Sequence, residues 1–131
     1  MTALISIKPK YVSRIISGEK KFEFRKQIFK KDVEKVYIYS SSPQKQIVGY
    51  FKIKNILQNH PEQLWEDTKN FSGIDRKEFD TYYKNRDIGY AIEISEFREL
   101  DNYLSPYEYY KNFKAPQSFF YFNQSIIDYK S

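Results

Sequence analysis

The stretch Gly18-Glu19-Lys20-Lys21-Phe22-Glu23-Phe24-Arg25-Lys26 decides how this chain is read. Extended backbone sends successive side chains to opposite faces. As a strand, the stretch turns Phe22 and Phe24 toward a core and sets Lys21, Glu23 and Arg25 on the other side, with Lys20 where the strand begins. Two readings of that charged side stand open. It is a solvated salt-bridge face, as most charge runs are, or it is a half-buried edge where three cations around one carboxylate hold a phosphate or a polar base.

Upstream, Ala3 to Ile7 alternates and is rich in branched residues, which predicts a short strand ending at Lys8-Pro9. Proline suits the first turn of a helix, Val12, Ile15 and Ile16 fall at helical spacing, and Gly18 stands just past the end as a left-handed cap. Downstream, Glu34 to Tyr39 predicts a strand that stops in the turn cluster Ser40-Ser41-Ser42-Pro43. Gln46 to Leu57 predicts a long strand curved at Gly49. Helices are expected over Pro61–Lys69 and over Asp75–Tyr83, the second capped by Asp75. Tyr90 to Phe97 reads as a strand, Leu104 to Phe113 as a short helix, and Phe119 to Phe122 as a last strand, with the tail from Asn123 unassigned. Short helices interposed irregularly among five or six strands argue against a doubly wound parallel sheet. The expected class is α+β, a small and mostly antiparallel β-barrel decorated with helices.

A chain of 131 residues without repeats is expected to form a single domain, residues 1–131. The absence of cysteine removes disulfides and thiolate chemistry, and a lone His60 leaves no basis for a metal site, so no cofactor is expected. No apolar run approaches the roughly 20 residues of a membrane span, and the start lacks the layout of a signal peptide. A cytoplasmic location and no membrane partner are the expectation. Charge is divided unevenly: residues 1 to 60 carry 13 Lys/Arg against 4 Asp/Glu, and residues 61 to 131 carry 9 against 13. A basic half in a chain with 25 aromatics (13 Tyr, 11 Phe, 1 Trp) is the footprint of a surface that meets an anionic polymer. Nothing in the pattern fixes an oligomeric state.

Taken in order, Ser6-Ile7-Lys8-Pro9, Gly18-Glu19-Lys20 with Glu23-Phe24-Arg25, Tyr39-Ser40-Ser41-Ser42-Pro43, Val48-Gly49-Tyr50-Phe51 and Ala115-Pro116-Gln117-Ser118-Phe119 form a set that resembles the ASCH domain of the PUA-like superfamily. More narrowly it resembles the prokaryotic ASCH proteins labelled predicted transcriptional regulators, over about residues 3 to 122. The resemblance implies a PUA-like barrel with a cleft beside the helix that precedes Gly18, and a partner that is RNA or a modified nucleoside. The family signature of glycine, any residue, lysine, two residues, an acid or hydroxyl, any residue and arginine falls on Gly18, Lys20, Glu23 and Arg25. The expected nucleic-acid-binding set is Lys8, Lys20, Lys21, Glu23, Arg25, Ser40, Ser41, Ser42 and Tyr50. In that set Lys20 offers a point charge, Arg25 a planar fork and Glu23 an acceptor for an exocyclic amine. Tyr39 and the three serines supply hydroxyls at the rim, and Tyr50, Tyr121 or Trp65 offers a stacking face.

Some ASCH members are amidohydrolases that use a lysine, a threonine and a glutamate. This chain matches only the lysine, at Lys20; Glu23 occupies the threonine position, and Glu66, Asp67 and Glu78 are the nearby candidates for the glutamate. Other members have been proposed as ribonucleases, for which Lys20, Glu23 and Arg25 form the set. If the chain is an enzyme, Lys20 and Glu23 are its acid–base pair. The departures favour a binding module, with a small nucleoside or RNA hydrolase as the alternative. With no recognition helix in the pattern, duplex DNA is a weaker partner than a strand whose base can be unstacked.

Overall fold

The computed structural model describes residues 1–121. Six strands, β1 (Thr2–Ile7), β2 (Phe22–Arg25), β3 (Lys35–Ser40), β4 (Gln46–Asn59), β5 (Gly89–Leu104) and β6 (Phe119–Tyr121), form one sheet in the order β2-β5-β4-β3-β1-β6. Three helices, α1 (Pro9–Ser17), α2 (Pro61–Thr68) and α3 (Arg76–Tyr82), are interposed. The expected last strand loses Phe122, which lies outside the described residues together with the tail. Every strand pair is antiparallel except β1 with β3, which are parallel because α1 and β2 intervene between them. Register shifts at Ile38/Tyr39 and at three places along β4 and β5, one of them spanning Gly49, bend the long strands and curl the sheet.

Period-2 patterning sorts the core into separate clusters. From β1 and β3, Ala3, Ile5, Ile7, Val36 and Ile38 join Val48, Phe51 and Ile92 on one face, covered by Val12 and Ile15 of α1. The opposite parity, Leu4, Tyr37 and Tyr39, packs with Ile47, Leu100 and Leu104 under Phe113 and Phe120. A third cluster gathers Phe24, Leu64, Phe79, Tyr83 and Ala91 beneath α2 and α3.

That third cluster redirects the deciding stretch. Phe24 meets Phe79 edge-on at 5.1 Å and lies opposite Ala91. Glu23 lies opposite Ile92, a member of the first cluster, so β2 turns its charged side inward across the sheet. Glu23 and Arg25 are each 8% exposed and Lys20 is 3% exposed, which rules out a solvated salt-bridge face.

Two expectations change at the far end of the chain. The strand expected to stop at Phe97 runs on to Leu104, because Leu100 and Leu104 fill the second cluster and Leu104 pairs with Ile47. The expected helix over Leu104–Phe113 shrinks to a 3₁₀ turn at Pro106–Glu108. Helix α3 is capped as read, with Asp75 accepting from the Glu78 N–H at 2.8 Å. The lone histidine caps α2, its Nδ1 accepting from the Glu62 N–H at 3.2 Å.

Strand β2 is held at both faces of its last residue. The buried Tyr83 hydroxyl lies 3.1 Å from the Arg25 carbonyl oxygen and 3.0 Å from that of Tyr90, within donating reach of both. Removing that donor strands buried acceptors. Tyr83→Phe should lower the unfolding free energy by about 1–2 kcal/mol in urea melts, with an unchanged slope; no loss would mean the hydroxyl does not fasten β2.

Candidate functional site

A cavity of about 530 Å³ opens between the start of α1, strand β2 and helix α3. Its making begins at Gly18, whose left-handed φ of 88° ends α1 and brings the Lys20 N–H to the Arg14 carbonyl at 2.9 Å. The Lys20 side chain then runs inward. Its Nζ donates to the Ser72 carbonyl at 2.7 Å and stands 4.7 Å from the ring centre of Phe24 and 5.3 Å from that of Tyr11. Gly73 makes this possible: at φ 63°, a β-carbon there would sit 2.3 Å from the Lys20 Cβ. Arg14 Nη1 donates to the Gly73 carbonyl at 2.8 Å, so two cations meet two consecutive carbonyls of one loop.

Burial disfavours the charged amine and lowers the Lys20 pKa to about 8. The Glu23 carboxylate opposes that shift, while Arg14 and Arg25 add to it. Near neutral pH about a tenth of the amine is therefore unprotonated, enough to exchange a proton with a bound group.

Arg25 occupies itself chiefly with the fold. Its Nη2 donates to the Ser6 carbonyl on β1 at 2.8 Å and its Nη1 to the Ser118 carbonyl just ahead of β6 at 3.4 Å. Strand β2 and the β1–β6 pair stand at opposite edges of the sheet, so this side chain joins edges that no ladder joins among the described residues. Its Nε lies 3.1 Å from Glu23 Oε2 without aiming its N–H there, an ion pair rather than a directed hydrogen bond. Among the described residues the other Glu23 oxygen accepts no hydrogen bond, and Glu23 lines the cavity.

On the opposite wall Glu78 accepts from the Tyr11 hydroxyl and from Lys10 Nζ, the latter at 2.9 Å. Those donors, Tyr11 first, pull its pKa down to about 2, so it stays ionised. Lys8 and Lys77 stand exposed at the rim, and Tyr82 completes the aromatic lining. Among the described residues no three histidine, aspartate or glutamate side chains gather as metal ligands do.

Of the residues expected from sequence, Lys8, Lys20, Glu23 and Arg25 share the cavity. Lys21 lies outside it, with Nζ 4.5 Å over the exposed Phe71 ring in a separate depression. Ser40, Ser41, Ser42 and Tyr50 do not line it either. Ser40 is fully buried, its Oγ without a hydrogen-bond partner among the described residues, and the Ser41 N–H is bonded to the Ile7 carbonyl. Tyr50 packs on Tyr37 at 5.2 Å, on the face under Phe113 and Phe120, and the Tyr39 hydroxyl pairs with that of Tyr107 at 2.9 Å. Trp65 packs on Phe79 at 5.1 Å in the third cluster. Glu78 reaches the cavity wall, whereas Glu66 pairs with Lys69 and Asp67 accepts from Gln63 on the exposed side of α2. Sequence reasoning missed Tyr11, Arg14 and the Ser72-Gly73 carbonyls. No spacing rule links Tyr11 to a glutamate 67 residues later.

The profile of the ASCH domain matches residues 5–124. Over 119 residues the chain is 25% identical to a Zymomonas mobilis protein named ASCH domain-containing ribonuclease, covering 88% of this chain and 80% of that protein. It is 29% identical over 121 residues to the large ribosomal subunit protein uL22 of Ureaplasma parvum, covering 92% of this chain but only 39% of that one. The crystal structure of ASCH from Zymomonas mobilis superposes with a TM-score of 0.88 at 22% identity, covering 97% of this chain and 91% of that chain. A variant of that protein with one tyrosine changed to phenylalanine superposes at 0.89 with 21% identity, covering 98% and 95%. At such identities the superpositions speak for the fold, and the curled six-stranded sheet is the PUA-like ASCH fold that the sequence led one to expect. The chain belongs to the ASCH domain family.

Proposed function

We propose that this chain binds RNA, with one nucleotide seated in the Lys20 cavity. The observation that carries the reading is the convergence of Lys8, Lys20, Glu23 and Arg25 on one opening walled by Tyr11, Phe24 and Tyr82. Lys20 spends one N–H on Ser72 and keeps donor capacity for a phosphate oxygen or a base carbonyl. Lys8 and Lys77 at the rim neutralise phosphates, the unengaged Glu23 oxygen suits an exocyclic amine, and Tyr11 and Tyr82 offer ring surface. A walled cavity accepts a splayed base more readily than a stacked pair, which favours single-stranded RNA over duplex. The ribonuclease name of the Zymomonas mobilis relative supports RNA as the partner class. A cysteine-free chain directed at RNA fits the cytoplasm.

A second reading, RNA cleavage, is favoured by the lowered pKa of Lys20 together with that relative's name. The neutral amine takes the proton of a ribose 2′-hydroxyl as the oxygen attacks the adjacent phosphorus. The 5′-oxygen leaves with a proton returned by the ammonium, giving a 2′,3′-cyclic phosphate and a 5′-hydroxyl. An amidohydrolase finds less support, because the nucleophile position holds Glu23 in an ion pair with Arg25.

Fluorescence anisotropy with labelled single-stranded RNA, single-stranded DNA and duplex DNA tests the binding reading. RNA should bind tightest at physiological salt, and Lys20→Met should weaken it about tenfold or more while Lys45→Ala changes it less than about twofold. Equal binding of all three nucleic acids that fades together with salt would leave only diffuse charge attraction. For cleavage, product ends analysed after incubation should be cyclic phosphates, formed with a kcat/KM that climbs toward pH 8 and depends on Lys20; intact RNA at every pH would return the chain to binding alone.

Burial of Lys20 also leaves a stability signature. In the unfolded chain its amine keeps its proton up to about 10.5, whereas in the folded chain it loses it near 8. Between those values the unfolded state binds more protons, so this residue's contribution to stability rises with pH. The stability advantage of Lys20→Met over the native chain should therefore shrink by about 3 kcal/mol between pH 7 and 10.5 in urea melts. A gap that does not vary with pH would mean the amine is not buried.

A further inference from the structure

We infer that a second groove, lined by Lys26, Phe29, Lys30, Lys31, Tyr90 and Tyr121, carries the nucleotides that flank the one in the Lys20 cavity, so that the chain reads a single strand of several nucleotides. The inference rests on the RNA-binding reading and extends it. The groove measures about 630 Å³, within the roughly 300–1,000 Å³ range of small-molecule sites.

Continuity is the first argument. Lys26 follows Arg25 of the cavity wall, and its Nζ stands 4.6 Å over the ring of Tyr82, which lines the cavity. A lysine of the groove thus sits over a ring of the cavity wall. A strand leaving the cavity at Tyr82 meets Lys26 first.

Composition is the second. Among the described residues the groove's lining holds three lysines and no carboxylate, whereas the depression beside Lys21 sets Lys21 and Lys54 against Glu93 and Glu96. A lining of one sign alternating with rings is what a phosphodiester with exposed bases requires. Phe29 and Phe119 meet edge-on at 4.6 Å as its floor, and Lys31 Nζ stands 5.0 Å over the Tyr121 ring.

Preorganisation is the third. The backbone N–H groups of Lys30 and Lys31 both donate to the Tyr121 hydroxyl at 3.1 Å, pinning this basic loop onto β6. The loop's shape is set by those main-chain bonds, and the ammonium groups of Lys30 and Lys31 are exposed. An acidic protein segment would find cations here too, but the interleaved rings favour bases, and the experiment separates the two.

The experiment compares a mononucleotide, a labelled single-stranded RNA hexamer and a labelled acidic peptide on the native chain, on the double variant Lys30→Glu/Lys31→Glu, and on Lys111→Glu/Lys114→Glu, which makes the same charge change outside the groove. The expected result is hexamer affinity reduced about tenfold or more by the groove variant. The slope of log affinity against log salt should become shallower by about 1.4, as the loss of two phosphate contacts predicts, with mononucleotide affinity within about twofold and the control variant close to native. If the groove variant binds the hexamer as the native chain does while Lys20→Met does not bind it, the groove is not on the RNA path and the cavity reading stands. If the native chain binds neither ligand, the RNA reading falls and the groove inference with it; capture of an acidic peptide in place of the hexamer would also overturn it.

Discussion

A buried guanidinium joins the two edges of this sheet. Six curled strands leave β2 at one edge and β6 at the other, and unpaired edges are a liability that a fold has to cover. Here Arg25 reaches from β2 to the Ser6 and Ser118 carbonyls on the far side. Taking its charge out of water costs several kcal/mol, which is offset only because Glu23 stands 3.1 Å away and backbone oxygens accept from the fork. The same solution puts ionised groups on the inward side of a strand. The cavity beside them has charged groups set into an otherwise largely apolar wall.

Lys20 shares that environment, and among the described residues it has no ion-pair partner of its own. It is held by one carbonyl, by two aromatic faces and by a glycine that leaves room for its stem. The result is an amine whose charge is disfavoured by its surroundings and would be favoured by an incoming phosphate. A phosphate at this position would raise the lysine's proton affinity, so binding and protonation are linked. The neighbouring carboxylate Glu78, fixed in its charged state by Tyr11 and Lys10, does not compete for that proton near neutrality.

Local rules made much of the scaffold legible. Proline at the start and glycine at the end delimited α1, Asp75 marked the cap of α3, and alternation found the strands. What sequence could not give was the destination of a face. The alternation in β2 fixed that Phe24 and the charged residues part company, but not that both sides are buried, which depends on α3 covering one and β1 approaching the other. Tyr50 looked suited to a rim, yet it packs on Tyr37 on the face under Phe113 and Phe120, while Ser40 is buried with the parity of Val36 and Ile38 and Ser41 and Ser42 lie in the turn after β3. The length of β5 was set by leucines whose partner, Ile47, is more than 50 residues upstream. The cavity residues from α1 and α3 meet only through tertiary packing, so their partnership leaves no trace in spacing.

Lys20 is a buried amine of lowered proton affinity, and a bound phosphate would favour its charged form. An NMR titration of the lysine side chains, with Lys20 assigned by comparison with Lys20→Met, in the absence and presence of single-stranded RNA tests this directly. One lysine should titrate at about 8 in the free protein, with its midpoint moving upward when RNA binds. A Lys20 midpoint near 10.5 that RNA leaves unmoved would contradict it.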